Sequence, residues 1–241
     1  GGIIEGKDYP WAPPIGNFPK GRRVQLSDFA IGKYEVTQEE YYSVMKDEVV
    51  SVTAYVDGVG ERTAEFFVDS RPSFCKPNNP PYYCFEGEKQ ERRPVEGITF
   101  YDALWYCNVL SRKTGLEPVY KIKVLEVTSV NFSSHITSAE VEMIPGANGY
   151  RLPTLCEAEY AMRGGDPNKP DWDYLFSGAA SESGKERYSI NKGLDPVGWY
   201  RYNNKTGDSA TSDSDKENDT YYSYKGTHEV GKKEPNRLGL Y

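Results

Sequence analysis

Three stretches of the chain carry the same helix-opening signature, and long loops separate them. Thr37-Gln38-Glu39-Glu40, Thr99-Phe100-Tyr101-Asp102 and Thr154-Leu155-Cys156-Glu157 each place a threonine hydroxyl where it accepts from the third helical amide, with an acid at that position reaching back. The first helix should run through Met45. Ala103, Leu104, Cys107 and Leu110 give the second its buried stripe before Gly115 stops it, and Gly164-Gly165 end the third. Between them, Val24 to Tyr34 reads as a strand. Val49 to Val68 reads as a hairpin around Asp57-Gly58-Val59-Gly60, and Val119 to Met143 as another, with Tyr120, Ile122, Val124, Val141 and Met143 on period two. Helices and strands that do not alternate as β-α-β units exclude a doubly wound sheet and point to an α+β fold.

Composition narrows the class further. The 241 residues are long enough for one large domain or two small ones, yet only 37% are apolar, and 20 Tyr raise the aromatic share to 14%. A formal charge of −7 is the wrong sign for a phosphate-binding surface, so nucleic acid is not an expected partner. The longest apolar run, Ala103 to Cys107, is far short of the roughly 20 residues a membrane-spanning helix needs.

Gly1 to Gly21, with Tyr9-Pro10-Trp11-Ala12-Pro13-Pro14, favours an extended surface arm over regular structure. The segment from Asn203 to Thr220 is almost wholly polar and cannot bury a core. The expected organisation is an arm over 1–23 and a single domain over 24–241 carrying a polar insertion at 203–220.

Several residues invite chemistry. The acid run Asp213 to Asp219 suggests a calcium loop, but Asn218 stands where the turn needs glycine and Tyr224 where a bidentate acid is needed, so a solvated loop is the better reading. His135 and His228, the only histidines, lie far from any cysteine or from each other in sequence, which disfavours an imidazole metal site. Glu157 and Glu159 could be paired carboxylates, although alternate helix positions diverge; a cap role for Glu157, with Arg151 as ion-pair partner, fits better. Cys75 and Cys84 bracket a proline-rich loop, and their spacing is compatible with a disulfide or with two thiols, while Cys107 belongs to an apolar helix face and Cys156 to the third helix. Asn131, Asn204 and Asn218 each open a glycosylation-type triplet, a pattern frequent by chance in such loops. Trp172, Trp199, Tyr200, Tyr202, Tyr221, Tyr222 and Tyr224 crowd the C-terminal third, either as ligand contacts or as a tyrosine-filled core. On the residues alone there is no catalytic or metal-ligand assignment, and no ligand-binding residue is named.

Five segments, in order, carry a family resemblance: Phe29 to Tyr41; Arg93 to Ala103 with Tyr106-Cys107-Asn108 and Leu110-Ser111; Gly115 to Tyr120; Gly149 to Thr154; and Val230 to Asn236 with Leu238 to Tyr241. Together the chain resembles the formylglycine-generating-enzyme and sulfatase-modifying-factor domain family, and most its non-enzymatic, retroelement-diversified variable proteins of the treponemal type. The resemblance implies a C-type-lectin-like α+β fold with little regular secondary structure. It also implies a non-enzymatic binding protein that presents loops to a macromolecular ligand, protein or glycan, from a lipid-anchored position on a bacterial surface. The alternative it implies is a copper- or iron-dependent oxidase acting on a cysteine or other thiol. Two departures bear on this: the third helix has Tyr160 but lacks the family tryptophan, and the sequence stops at Tyr241, before the portion that holds the family's redox cysteines and part of its calcium site. Cys75, Cys84, Cys107 and Cys156 do not match that catalytic motif, and structural calcium has no support among these residues.

Overall fold

The computed structural model describes residues 1–9, 16–76, 87–130, 133–174, 176–179, 193–200, 203–204 and 226–241. These form two compact units, each assembled from separated stretches of chain: unit 1 from Gly1–Glu35, Cys75–Pro94 and Pro153–Tyr241, unit 2 from Val36–Phe74 and Val95–Leu152.

Among the described residues, unit 2 holds most of the regular structure. Helix α1 (Gln38–Met45) and helix α2 (Phe100–Lys113) start at Thr37 and Thr99, and both capping boxes are formed in full. Gly115, at φ +76°, supplies the left-handed residue that stops α2. Strands β3 (Val49–Val56) and β4 (Gly60–Phe67) pair antiparallel, as do the longer β5 (Tyr120–Val130) and β6 (Ser133–Met143), whose register slips around Leu125. Both hairpins fall where the alternation of the sequence places them. One detail differs: Met143, the last residue of the period-two series, is exposed, because it stands at the open end of β6.

The unit 2 core gathers Tyr41, Val44 and Met45 from α1, Leu104, Cys107 and Val109 from α2, and Val124 and Ile136 from the long hairpin. Tyr41 and Tyr106 stack with ring centroids 5.3 Å apart. Each fully buried aliphatic side chain contributes about 1.5–3 kcal/mol relative to exposure. Asn108 is the polar latch: its amide donates to the Tyr120 carbonyl at 2.6 Å and accepts from the Tyr120 N–H at 3.1 Å, tying α2 to the first residue of β5.

Unit 1 is held differently. Strand β1 (Gly2–Glu5) pairs antiparallel with β2 (Arg23–Leu26), and α3 (Leu155–Met162), capped by Thr154 and Glu157, packs near β2. Ile4, Phe18, Val24, Leu26 and Trp172 make its small core, with Trp172 5.2 Å from Phe18 and 5.9 Å from Tyr160. Two expectations are corrected here. The first residues are not an irregular arm, since Gly2–Glu5 is a strand and Phe18 is buried; and the strand expected over Val24 to Tyr34 ends at Leu26. The pairing joins residues some twenty apart with no tight turn, so no local hairpin signal announces it. Gly6 donates to Arg22 O at 2.7 Å where a Cβ would collide with Pro19, so the close chain approach also requires a glycine.

Candidate functional site

The two helix carboxylates go to separate structural tasks. Glu157 folds back on its cap, accepting from the Thr154 N–H at 2.8 Å and the Thr154 hydroxyl at 3.0 Å. Glu159 points the other way and anchors the N-terminal segment: it accepts from Asn17 N at 2.5 Å, Asn17 Nδ2 at 2.9 Å and Arg163 Nε at 2.8 Å. Arg151 donates to its neighbour's carbonyl, Leu152 O, at 3.1 Å.

His135, in unit 2, meets a buried acid. Its Nδ1 lies 2.8 Å from Asp102 Oδ2, while Asp102 also accepts from Ile136 N at 2.9 Å and Thr99 N at 3.0 Å. The hydrogen bond to Asp102 raises the His135 pKa despite the opposing effect of burial. Asp102 is therefore both the capping-box acid of α2 and the clasp that holds β6, which makes the pair architectural.

The cysteines are distributed rather than clustered. Cys107 lies in the unit 2 core, where burial pushes its thiol up to about 11, so it stays protonated and unreactive at neutral pH. Cys75 is buried in unit 1 with the Thr227 N–H 3.4 Å from its sulfur, and Cys156 lies on α3 with Arg22 3.9 Å away. Cys84, the Asp213–Asp219 run, most of the 203–220 insertion, Asn131, Asn218, Tyr202, Tyr221, Tyr222 and Tyr224 lie outside the described residues. Among the described residues no three His, Cys, Asp or Glu side chains come together as a metal site. The C-terminal aromatics split: Trp172 is core, whereas Trp199 is 41% exposed.

Trp199 belongs to a groove of about 350 Å³ in unit 1, walled by Glu35, Asn204, His228, Glu229, Lys233 and Tyr241 among others. Backbone bonds draw its three loops together: Val230 N donates to Arg92 O at 3.0 Å and Glu234 N to Pro196 O at 2.8 Å. Gly231, at φ +76°, allows the last loop to pass the Tyr34 ring, which a Cβ would meet at 2.9 Å. Tyr34 in turn packs on Tyr241 at 5.1 Å, with Lys33 over both rings.

At the groove centre the His228 ring lies parallel to Trp199, centroids 3.6 Å apart, and Lys233 Nζ sits 3.8 Å from the indole centroid while donating to Asp195 O. Two groups centred that close to one ring fit only on opposite faces. His228 Nδ1 is 2.8 Å from Glu88 Oε1 and Nε2 is 3.0 Å from Asn204 Oδ1. Glu88 also forms an ion pair with Arg93, fully buried, at 2.8 Å and accepts from Glu229 N at 3.2 Å. Burial lowers the His228 pKa, and the Arg93 and Lys233 charges reinforce it against the pull of Glu88; burial lowers Lys233 too. Asn204 spends its other amide end on Gly226 O at 2.8 Å, so its side chain is a wall component held from both ends. Sequence reading missed this assembly because Glu88 and His228 are 140 residues apart; only the Trp-rich tail hinted at it.

The family profile described as "Sulfatase-modifying factor enzyme 1-like domain" matches residues 7–241. A curated relative, "Chaperone protein LppX" of Paenibacillus barcinonensis, is 35% identical over 178 residues, which is 73% of this chain and 49% of the relative. The chain thus spans about half the length of that protein. Among solved structures, Treponema denticola variable protein 1 superposes with a TM-score of 0.54 at 25% identity, covering 100% of this chain and 67% of its own. A structure titled CarF gives a TM-score of 0.49 at 20% identity, covering 99% of this chain and 74% of its own.

Proposed function

The chain belongs to the sulfatase-modifying factor enzyme 1-like domain family, and from that premise we propose that it is a non-enzymatic binding protein that presents a preassembled groove and its surrounding loops to a macromolecular ligand, protein or glycan. The carrying observation is how firmly the groove wall is held by the chain's own groups. Its Trp199 is stacked, its His228 is held at both nitrogens, and its loops are cross-tied by backbone bonds. A wall ordered in advance leaves little entropy to lose on association, which is how loop-based surfaces reach useful affinity. The likeness to a variable protein and to a chaperone-named relative supports the same reading.

The family also supports the oxidase alternative, which would require a copper or iron centre or a reactive cysteine pair. The described donors do not fit such a centre: Cys107 is a protonated core thiol, Cys75 and Cys156 meet an amide and an arginine respectively, and both histidines are committed to carboxylates. The reading takes residues 24–241 as one domain, supported by a family match that runs through both units. It also takes the protein as displayed on a bacterial surface by a lipid anchor; among the described residues no helix is long and apolar enough to cross a membrane.

The test is a screen of the purified protein on glycan and protein arrays beside W199A, with oxygen uptake measured on a cysteine peptide after copper loading. Specific array signal lost in W199A, with no oxygen uptake, is the expected result. Turnover of the peptide would replace this reading with the oxidase.

A further inference from the structure

The hydrogen bonding of His228 conflicts with its surroundings. Both ring nitrogens face oxygens, Glu88 Oε1 at 2.8 Å and Asn204 Oδ1 at 3.0 Å. The Asn204 amide is already turned so that its Nδ2 donates to Gly226 O at 2.8 Å, and reversing it would set two oxygens face to face. Two acceptors are both satisfied only by an imidazolium, which has two N–H donors; a neutral ring leaves one oxygen against a bare nitrogen. The environment favours the neutral ring. The side chain is 4% exposed, Arg93 already holds Glu88 at 2.8 Å, and Lys233 is close across the indole. These are the charged groups around the ring: Glu88 on one nitrogen, Arg93 behind Glu88, and Lys233 beyond Trp199, with Glu229 contributing its N–H to the same Glu88.

We propose that Lys233 is a proton-operated cover on Trp199. With His228 neutral, the ammonium rests on the outer indole face, bonded to Asp195 O and attracted by the Asp195 carboxylate; when His228 takes up a proton, the inner face meets an imidazolium, a second cation on the same ring repels the first, and Lys233 gives up the Asp195 bond and leaves. The outer face of Trp199 is then open in the groove. The ring quadrupole attracts a cation on one face, and a positive charge pressed against the opposite face weakens that attraction. Burial, which already depresses the pKa of both His228 and Lys233, places the exchange on the acid side of neutrality. This regulation rests on the groove being the binding surface.

The experiment follows acrylamide quenching of Trp199, isolated as the difference between the wild-type protein and W199F, from about pH 7.5 to about pH 5, alongside an NMR titration of the His228 imidazole. Trp199 is already 41% exposed with Lys233 in place, so quenching should rise by up to about twofold on acidification, with a midpoint that coincides with proton uptake by His228. H228Q should show no rise. K233A, which leaves nothing long enough to lie on the indole, should be open at both pH values and should shift proton uptake by His228 to higher pH, whereas K233R should keep the cover. Flat wild-type quenching, a rise that persists in H228Q, or midpoints that fail to coincide would each overturn the proposal. No ligand is used, so a flat response leaves the binding reading standing, while array signal that survives W199A removes that reading and leaves the cover intact.

Discussion

Unit 2 and unit 1 bury their chains by different means. Among its described residues unit 2 pairs its backbone in two hairpins and two capped helices; its core is aliphatic and aromatic, and buried polar side chains such as Asp102 and Asn108 tie those regular elements to one another. Among the described residues of unit 1 a four-residue strand pair, one short α-helix, two short 3-10 helices and loops leave many backbone groups without a ladder partner, and buried charged and amide side chains bond to the loop backbone instead. Asn236 shows the pattern. Its amide donates to Ala161 O at 2.9 Å and Ser177 Oγ at 3.1 Å, while its oxygen accepts from Leu238 N at 3.0 Å and Leu240 N at 3.2 Å. Arg163 does the same at Trp172 O, at 2.7 Å. Buried polar groups must be paired, so loop-built regions recruit charged and amide side chains, and those side chains are what a binding groove needs. The candidate site therefore falls in the irregular unit.

The largest expected effect comes from cutting each core. Trp172→Ala removes the centre of a five-residue cluster and should destabilise by about 3–5 kcal/mol, against about 2–5 kcal/mol for Leu104→Ala in unit 2. If residues 24–241 fold as one domain, both variants lower a single calorimetric transition; two transitions, each moved by one variant only, would separate the units and defeat the one-domain reading. Next comes Asn236→Ala, which strands buried carbonyls and amides and should cost about 2 kcal/mol. Hydrogen exchange would locate the loss at residues 236–240 and spare the β5–β6 hairpin; uniform loss would blur the contrast between units.

Each unit also has one histidine on a carboxylate at 2.8 Å, and the two respond oppositely to acid. The raised pKa of His135 means that its contribution is complete below the unfolded value of about 6.5 and disappears as pH climbs through the folded value. The lowered pKa of His228 means that its contribution is present above about 6.5 and is lost as pH falls through the folded value. Urea midpoints should accordingly show His135→Gln most damaging in acid and His228→Gln most damaging at neutral pH and above; the same pH trend for both would refute the assignment of causes. The smallest effects are the caps. Thr37→Ala and Thr154→Ala should each cost about 1 kcal/mol, and Thr99→Ala more, since its hydroxyl donates across to Ile136 O on β6 at 2.7 Å whereas the other two donate to their own capping acids. Equal losses at all three would show that the tie to β6 adds nothing.

Helices and hairpins were legible in the chain because their causes are local. A threonine three residues before an acid, a glycine after an apolar stripe and alternation around Asp57-Gly58 act within a turn or two, and α1, α2, α3 and both unit 2 hairpins stand where those signals put them. The family order of five segments was legible for a related reason, since much of it consists of those caps and their flanks. Trp172 and Trp199 were indistinguishable in sequence, yet one is sealed in a core and the other forms a groove wall. Likewise, His135 and His228 each read as an isolated histidine, and their partners came from 33 and 140 residues away. Local sequence determined the three helices and the two hairpins of unit 2, and hence that the fold is α+β, but not the β1–β2 pair. Tertiary structure alone decided which polar groups are buried, and against what, because the electrostatics of a side chain depend on the groups that folding brings within a few ångströms of it.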